Sequence, residues 1–288
     1  MRCGSLIIKE ISHVSELLQY IEESQSMFFR NQRFLFRGES KNCYRLVPSV
    51  YRKSVHGADL YHSPNTELDL LTAFMTDAAS YINLSPDDMF RWLQYAQHFG
   101  TPTRLLDWTA NPLVALYFAC SNHPEDDGKV YILNSFVYKL LIQEKNEMDG
   151  NTILEEAMKM IRDEEKAFPY PVIFKPYYFD QRMFAQSSEF MVWGYIRESL
   201  DKLITELEQD GKKKEYVKKE IANGVTTQSL EEIDILTDVF IKRSDKEKIL
   251  WELDGIGINQ ARLFPGLDGI GRAIEWRNNW NNKNCYRK

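Results

Sequence analysis

The sequence predicts an α+β domain on a mixed β-sheet, with flanking helices and a helical insertion toward its C-terminal end. Short apolar runs bounded by turn residues read as strands, among them Arg33–Arg37, Thr103–Thr109 and Lys129–Leu133. Apolar residues at helical spacing fill 65–82, 89–99 and the stretch after Asn111-Pro112. The third observation is a long charged stretch beyond residue 196, which reads as helix added to this core. With 288 residues the chain can bury one large core, so we take 1–288 as a single domain. Within it, 1–32 is an N-terminal strand-helix extension and 33–195 the motif-bearing core, while 196–252 is the helical insertion and 253–276 the closing segment of the core.

Composition narrows the function classes. A hydrophobic fraction of 43% beside 27% charged residues suits a soluble globular chain. The net charge of -6 argues against broad, sequence-independent nucleic-acid binding, which needs many phosphates neutralised. No apolar run reaches the length of a membrane span, and Met1–Ser5 does not open a signal peptide, so a cytoplasmic protein without membrane partners is expected. Cys3, Cys43, Cys120 and Cys285 are scattered, which indicates neither a zinc site nor a disulfide frame, and no metal is expected.

Taken in order, Ser5–Ile8 reads as a short strand and Ser15–Ile21 as an amphipathic helix. In the aromatic strand that follows, Phe34 and Phe36 share one face and Leu35 and Arg37 the other. A guanidinium aimed inward needs an anion: an ion pair with Glu39 or Asp107, or a phosphate or carboxylate ligand. Arg45 and Arg52, with Tyr44 and Tyr51, then concentrate positive charge in an acidic chain. Leu68, Leu71, Phe74, Met75 and Ala78 give one helix, and Ser85-Pro86-Asp87-Asp88 caps the next, which delivers Gln97 and His98 to a turn. His98 is either a proton carrier or a histidine bonded to a backbone carbonyl.

The least generic run is Gln97–Cys120. Gly100 and Pro102 break the preceding helix, and the buried strand after them carries Arg104 and Asp107 among apolar residues. Asn111 then supplies a side-chain cap and Pro112 a first helical residue that needs no N–H partner. Polar groups therefore gather at the strand end, where ligands often sit. Downstream, Lys129–Leu133 is a strand, 135–167 is mainly helical and the prolines of Phe168–Pro176 exclude helix. The second half of Asp180–Gly194 reads as a strand, 200–221 as a charged helix, and 229–253 as helices around a break near Ser244. Gly255 and Gly257 lack the rest of a dinucleotide fingerprint. A closing helix follows them, and 278–288 reads as a polar tail that frays.

Phe36-Arg37-Gly38, followed by Gly100-Thr101-Pro102-Thr103-Arg104-Leu105-Leu106-Asp107-Trp108-Thr109 and Asn111–Ala119, resembles the FRG-domain family. Gln186 and Phe190 fit its later Gln-x-x-x-Phe pattern, and Leu263–Gly269 looks like its closing segment, so the resemblance runs from about Phe34 to Ile274. It implies a prokaryotic or phage-related context but no particular reaction.

The order of motifs is also similar to that of ADP-ribosyltransferase folds, which bind NAD in the cleft of a split β-sheet. That resemblance implies NAD as substrate and cofactor-binding roles for Arg37, Gly38, His98, Arg104, Trp108 and Thr109, with Arg37 on an NAD phosphate or ribose hydroxyl. Trp108 or Tyr117 would pack on the nicotinamide ring. It implies catalytic roles for Asp107, Gln186 and Glu189, with a late acid stabilising the oxocarbenium-like ribose. Gln186 and Glu189 are three apart and face opposite sides of a strand, so only one points into the cleft; Gln186, which fits the FRG pattern, is taken as that one, and the acid is then missing unless Glu189 or Glu39 substitutes. The implied protein is an NAD-cleaving or ADP-ribosyl-transferring effector, a toxin or phage-defence component, with a protein or nucleic-acid acceptor. The competing expectation is a non-catalytic module that binds nucleic acid or a phosphorylated partner through Arg37, Arg45, Arg52 and nearby tyrosines.

Overall fold

The strands of this protein form one open sheet of seven, in the order β1-β7-β4-β2-β3-β6-β5. The computed structural model describes residues 9–26, 34–42, 45–53, 65–146, 168–209 and 234–285, with Gly57, Asp59 and Ala157. The expectations for Ser5–Ile8, Arg33, Tyr44, 147–156, 158–167 and 210–233 lie outside these residues.

The strands are β1 (Lys9–Ile11), β2 (Phe34–Glu39), β3 (Leu105–Thr109), β4 (Gly128–Asn134), β5 (Val172–Phe174), β6 (Ser188–Val192) and β7 (Leu236–Ile241). β1 runs parallel to β7, and the other neighbours are antiparallel, so the sheet is mixed as expected. Ten helices accompany them among the described residues: α1 (Val14–Ser26), α2 (Asn65–Ala78), α3 (Met89–His98), α4 (Pro112–Ser121), α5 (Ser135–Asn146), α6 (Gln181–Ala185), α7 (Leu200–Gln209), α8 (Arg243–Gly255), α9 (Gln260–Leu263) and α10 (Leu267–Cys285).

Local chemistry sets several boundaries. The Asp88 carboxylate accepts from Arg91 N and starts α3, and Asn111 accepts from Leu113 N and starts α4, with Pro112 in the first turn. α4 has no polar face, because it is enclosed between the sheet and other helices. Alternation along β2 divides the interior. Leu35 joins the core beneath α2, α3, α5 and α7, while Phe36 joins the core shared by α1, α4 and α8.

Three expectations change. Leu236–Ile241, read as helix within the 196–252 insertion, is a strand between β1 and β4. Leu236 and Phe240 fit a helical spacing, but Thr237, Val239 and Ile241 are β-branched, and the register on β4 buries Val239 and Ile241. A short helix, α6, capped by Asp180, fills the first half of Asp180–Gly194, to which the sequence assigned no element. The closing helix α10 continues through Cys285 instead of fraying from 278. Among the described residues, no helix is long and apolar enough to cross a membrane.

Candidate functional site

The sheet is nearly divided between β2 and β3. β2 pairs with β4 along its whole length, and β3 with β6 along its own, yet β2 and β3 pair only at Phe36↔Thr109. A cleft of about 350 Å³ opens at this division, walled by the ends of β2, β3 and α3 and by α6.

Arg37 spans the gap. Its Nε donates to Glu39 Oε1 at 2.8 Å, its Nη2 lies 2.7 Å from the same oxygen, and its Nη1 donates to the Asp107 carbonyl oxygen across the division. Burial opposes the guanidinium charge, but the Glu39 and Asp107 carboxylates outweigh it and raise the Arg37 pKa. The arginine therefore already has its anion, and it braces the two halves of the sheet.

Asp107 faces the cleft beside Thr109 and is exposed. Its Oδ2 accepts from Gln97 Nε2 at 2.8 Å, and Gln97 Oε1 accepts from the Thr103 hydroxyl at 2.6 Å, which fixes the orientation of the amide. Its hydrogen-bond partner is thus a neutral amide. Thr109 Oγ1 donates to the Gln186 carbonyl oxygen at 2.6 Å and accepts from Asn111 N, so it joins β3 to the turn after α6. Gln186 lines the cleft and its Nε2 donates to the Leu263 carbonyl oxygen at 3.0 Å.

His98 sits at the end of α3 with 9% of its side chain exposed, and its Nε2 lies 3.5 Å from Asp180 Oδ2 without a hydrogen bond. Burial holds its pKa below the usual histidine value, against the upward pull of Asp180 and Asp107. Arg182 of α6 extends over the Phe264 ring, 4.9 Å from the centroid, and its Nε is buried with no partner. Trp108 Nε1 is likewise buried and unpaired.

The structure thus brings Arg37, Gly38, His98, Asp107, Trp108, Thr109 and Gln186 to one cleft. It does not bring Arg104 or Glu189. Arg104 points away from the cleft into the core, where its Nε donates to Glu67 Oε2 at 2.8 Å and its backbone N–H to Glu67 Oε1 at 2.9 Å. Glu189 follows the β6 alternation to the far face of the sheet, beside Leu35 and Lys175 in a separate cavity of about 200 Å³. Tyr117 faces a second cavity of about 370 Å³, where it donates to Gln260 Oε1 and burial pushes its pKa up to about 12. Arg45 bonds Ser199 Oγ and Arg52 the Val47 carbonyl oxygen, and neither lines the cleft with Arg37.

Sequence reasoning missed Arg182 as a cleft residue. Asp180 as a cap, with Arg182 and Gln186 four apart behind it, was the available signal, since that spacing shares a helix face. Elsewhere, His123, Glu125 and Asp126 bring ligand-type atoms within 4.8 Å of one another, and Lys41 pairs with Asp126 at 3.1 Å.

No curated protein and no solved structure matches this chain. The later motif residues Gln186, Phe190 and Leu263–Gly269 lie beyond the reach of the family match, although Gln186 and Leu263 meet at the cleft through a hydrogen bond. Residues 32–128, which carry Phe36-Arg37-Gly38 and the run from Gly100 to Cys120, match the FRG domain model, so an FRG domain is present in this chain.

Proposed function

We propose that the cleft binds NAD and that the protein cleaves its nicotinamide–ribose bond, passing ADP-ribose to water or to a protein or nucleic-acid acceptor. The observation that supports this reading is Asp107, a carboxylate held by Gln97 and in no ion pair among the described residues, at the point where the sheet divides. As the C1′–N bond breaks, its electron pair leaves with nicotinamide and positive charge develops on the ribose. A fixed anion beside that carbon lowers the energy of this state. The oxygen of water or of the acceptor then bonds to C1′ and releases its proton to solvent. Asp107 takes the role first considered for Glu189, while Arg37 and Glu39 keep the cleft walls in place. The cleft volume lies within the range of small-molecule sites, enough for the nicotinamide-riboside end of the ligand. Consumption of NAD suits a toxin or phage-defence effector.

The test is release of nicotinamide from labelled NAD by the purified protein, with and without cell lysate. Asp107→Asn is expected to slow release by about 100-fold or more while NAD still binds. Glu189→Gln, on the far face, should match the wild type. Equal loss in both variants, or NAD binding without any release, removes the catalytic assignment of Asp107.

A further inference from the structure

Resting on that reading of the cleft, we infer that Arg182 and His98 form its phosphate-binding corner, so that the ligand class is a nucleotide bearing a pyrophosphate. The argument begins with the other arginines near the division of the sheet. Arg37 gives Nε and Nη2 to Glu39 and Nη1 to the Asp107 carbonyl oxygen. Arg104 is enclosed with Glu67. Each of these two already holds a carboxylate of the chain. Arg182 is different: among the described residues no carboxylate forms an ion pair with it, and its Nε is buried with nothing to accept from it.

Asp180, the nearest acid in sequence, is already engaged. Its Oδ1 accepts from the Arg182 backbone N–H at 2.7 Å, as the cap of α6. Its Oδ2 lies 3.5 Å from His98 Nε2, which is itself buried and forms no hydrogen bond. Two nitrogen-bearing side chains thus line the same cleft with buried nitrogens that make no hydrogen bond among the described residues, His98 having only the Asp180 carboxylate at ion-pair range. Buried polar groups are ordinarily satisfied, and a corner holding two that are not is built for an acceptor from outside.

The chemistry of that acceptor follows from the residues. A guanidinium offers a planar fork to paired oxygens on one phosphoryl group. Its position over Phe264 holds the plane of the fork and contributes a cation–π contact that survives ligand binding. Phe118 packs edge-on against the other side of this aromatic wall, with ring centroids 6.1 Å apart at 81°. The corner therefore joins a fixed cation to apolar walls, which suits a phosphate attached to an organic group. Asp107 lies across the same cleft. A pyrophosphate at Arg182 and a ribose at Asp107 would occupy the two ends of one ligand.

The deciding measurement is calorimetric titration of the full chain with ADP, inorganic pyrophosphate and adenosine, for the wild type and Arg182→Gln. The wild type is expected to bind ADP and pyrophosphate. Arg182→Gln should weaken both at least tenfold, leave adenosine unchanged and reduce the salt dependence of ADP binding. His98→Asn should weaken ADP binding by a smaller factor. If Arg182→Gln fails to fold, Arg182→Lys keeps the charge but loses the planar fork, and should still weaken ADP several-fold. ADP binding that is equal in wild type and variant overturns the inference, as does a wild type that binds neither ADP nor pyrophosphate. Arg182-dependent ADP binding without NAD cleavage supports the phosphate corner and overturns only the reaction proposed above. NAD cleavage that Arg182→Gln leaves untouched overturns the corner and spares the reaction.

Discussion

Gly38 lies directly against Ala115 of α4: a Cβ placed on this glycine would stand 1.8 Å from the Ala115 carbonyl oxygen and 2.7 Å from Ala119 N. The obstacle is helix backbone, which cannot turn aside as a side chain can. The three residues of the Phe-Arg-Gly motif thus have distinct tasks. Phe36 fills the core under α4, Arg37 bridges the divided sheet, and Gly38 lets α4 seat on β2. Gly38→Ala is expected to lift α4 and lower stability by about 3 kcal/mol. Chemical denaturation measures it, and an unchanged midpoint would mean that α4 is loosely held.

Glu67 and Arg104 are 1% and 5% exposed at their side chains and are joined at 2.8 Å. Removing one partner strands the other charge in the core, so Glu67→Ala should cost about 3–5 kcal/mol. The double variant Glu67→Leu with Arg104→Met should recover much of that loss, because neither charge then remains buried. Denaturant midpoints of the single and double variants provide the comparison.

Lys246 of α8 is buried with no ion pair among the described residues, and its ammonium donates to the carbonyl oxygens of Ser40 at 2.7 Å, His123 at 3.0 Å and Asn122 at 3.3 Å. These oxygens lie just past the ends of β2 and α4, where backbone carbonyls lack partners. Lys246→Met keeps the length and loses the donors, with an expected cost of about 3 kcal/mol. Since Ser40 and Asn122 also line the cleft, ADP binding should weaken in parallel. Melting temperature and ADP affinity are the paired readouts.

His98 supplies a pH prediction. Its pKa in the folded protein is lowered from 6.5 by burial, so the unfolded chain takes up a proton at pH values where the folded chain does not. Its contribution to stability is therefore complete above about pH 6.5 and is lost as pH falls toward the folded value. Between about pH 7.5 and about pH 5.5 the wild type should lose stability more steeply than His98→Asn. Parallel slopes would show that another group carries the dependence.

Where sequence and structure agree, the signal was local. Asn111-Pro112 and Asp88 start helices through chemistry within three residues, and β4 reads directly from its apolar run. The cleft was legible through Arg37, Asp107, Thr109 and Gln186, all on recognisable motifs. What the sequence hid was set by distant partners. Arg104 looks like a ligand-binding arginine until α2 brings Glu67 to it. Leu236–Ile241 satisfies helical and strand spacing alike, and β4 decides between them. Glu189 goes to the far face because the turn Gln186-Ser187, with φ 48° at Ser187, sets the phase of β6.

The strand missed in the sequence also governs when the sheet can be completed. β7 lies between β1 and β4, and among the described residues β1 has β7 as its one neighbour. The same seam is stitched by Val14 N, which donates to Glu252 across 238 positions of chain. During synthesis β1 is made before β4 and β7, and its pairing waits until β7 has followed. Pairing across so long a loop is slow, and an unpaired edge invites contact with other chains. Newly made molecules would therefore spend their early life as a centre of β4, β2, β3 and β6, with β1 unpaired until β7 arrives.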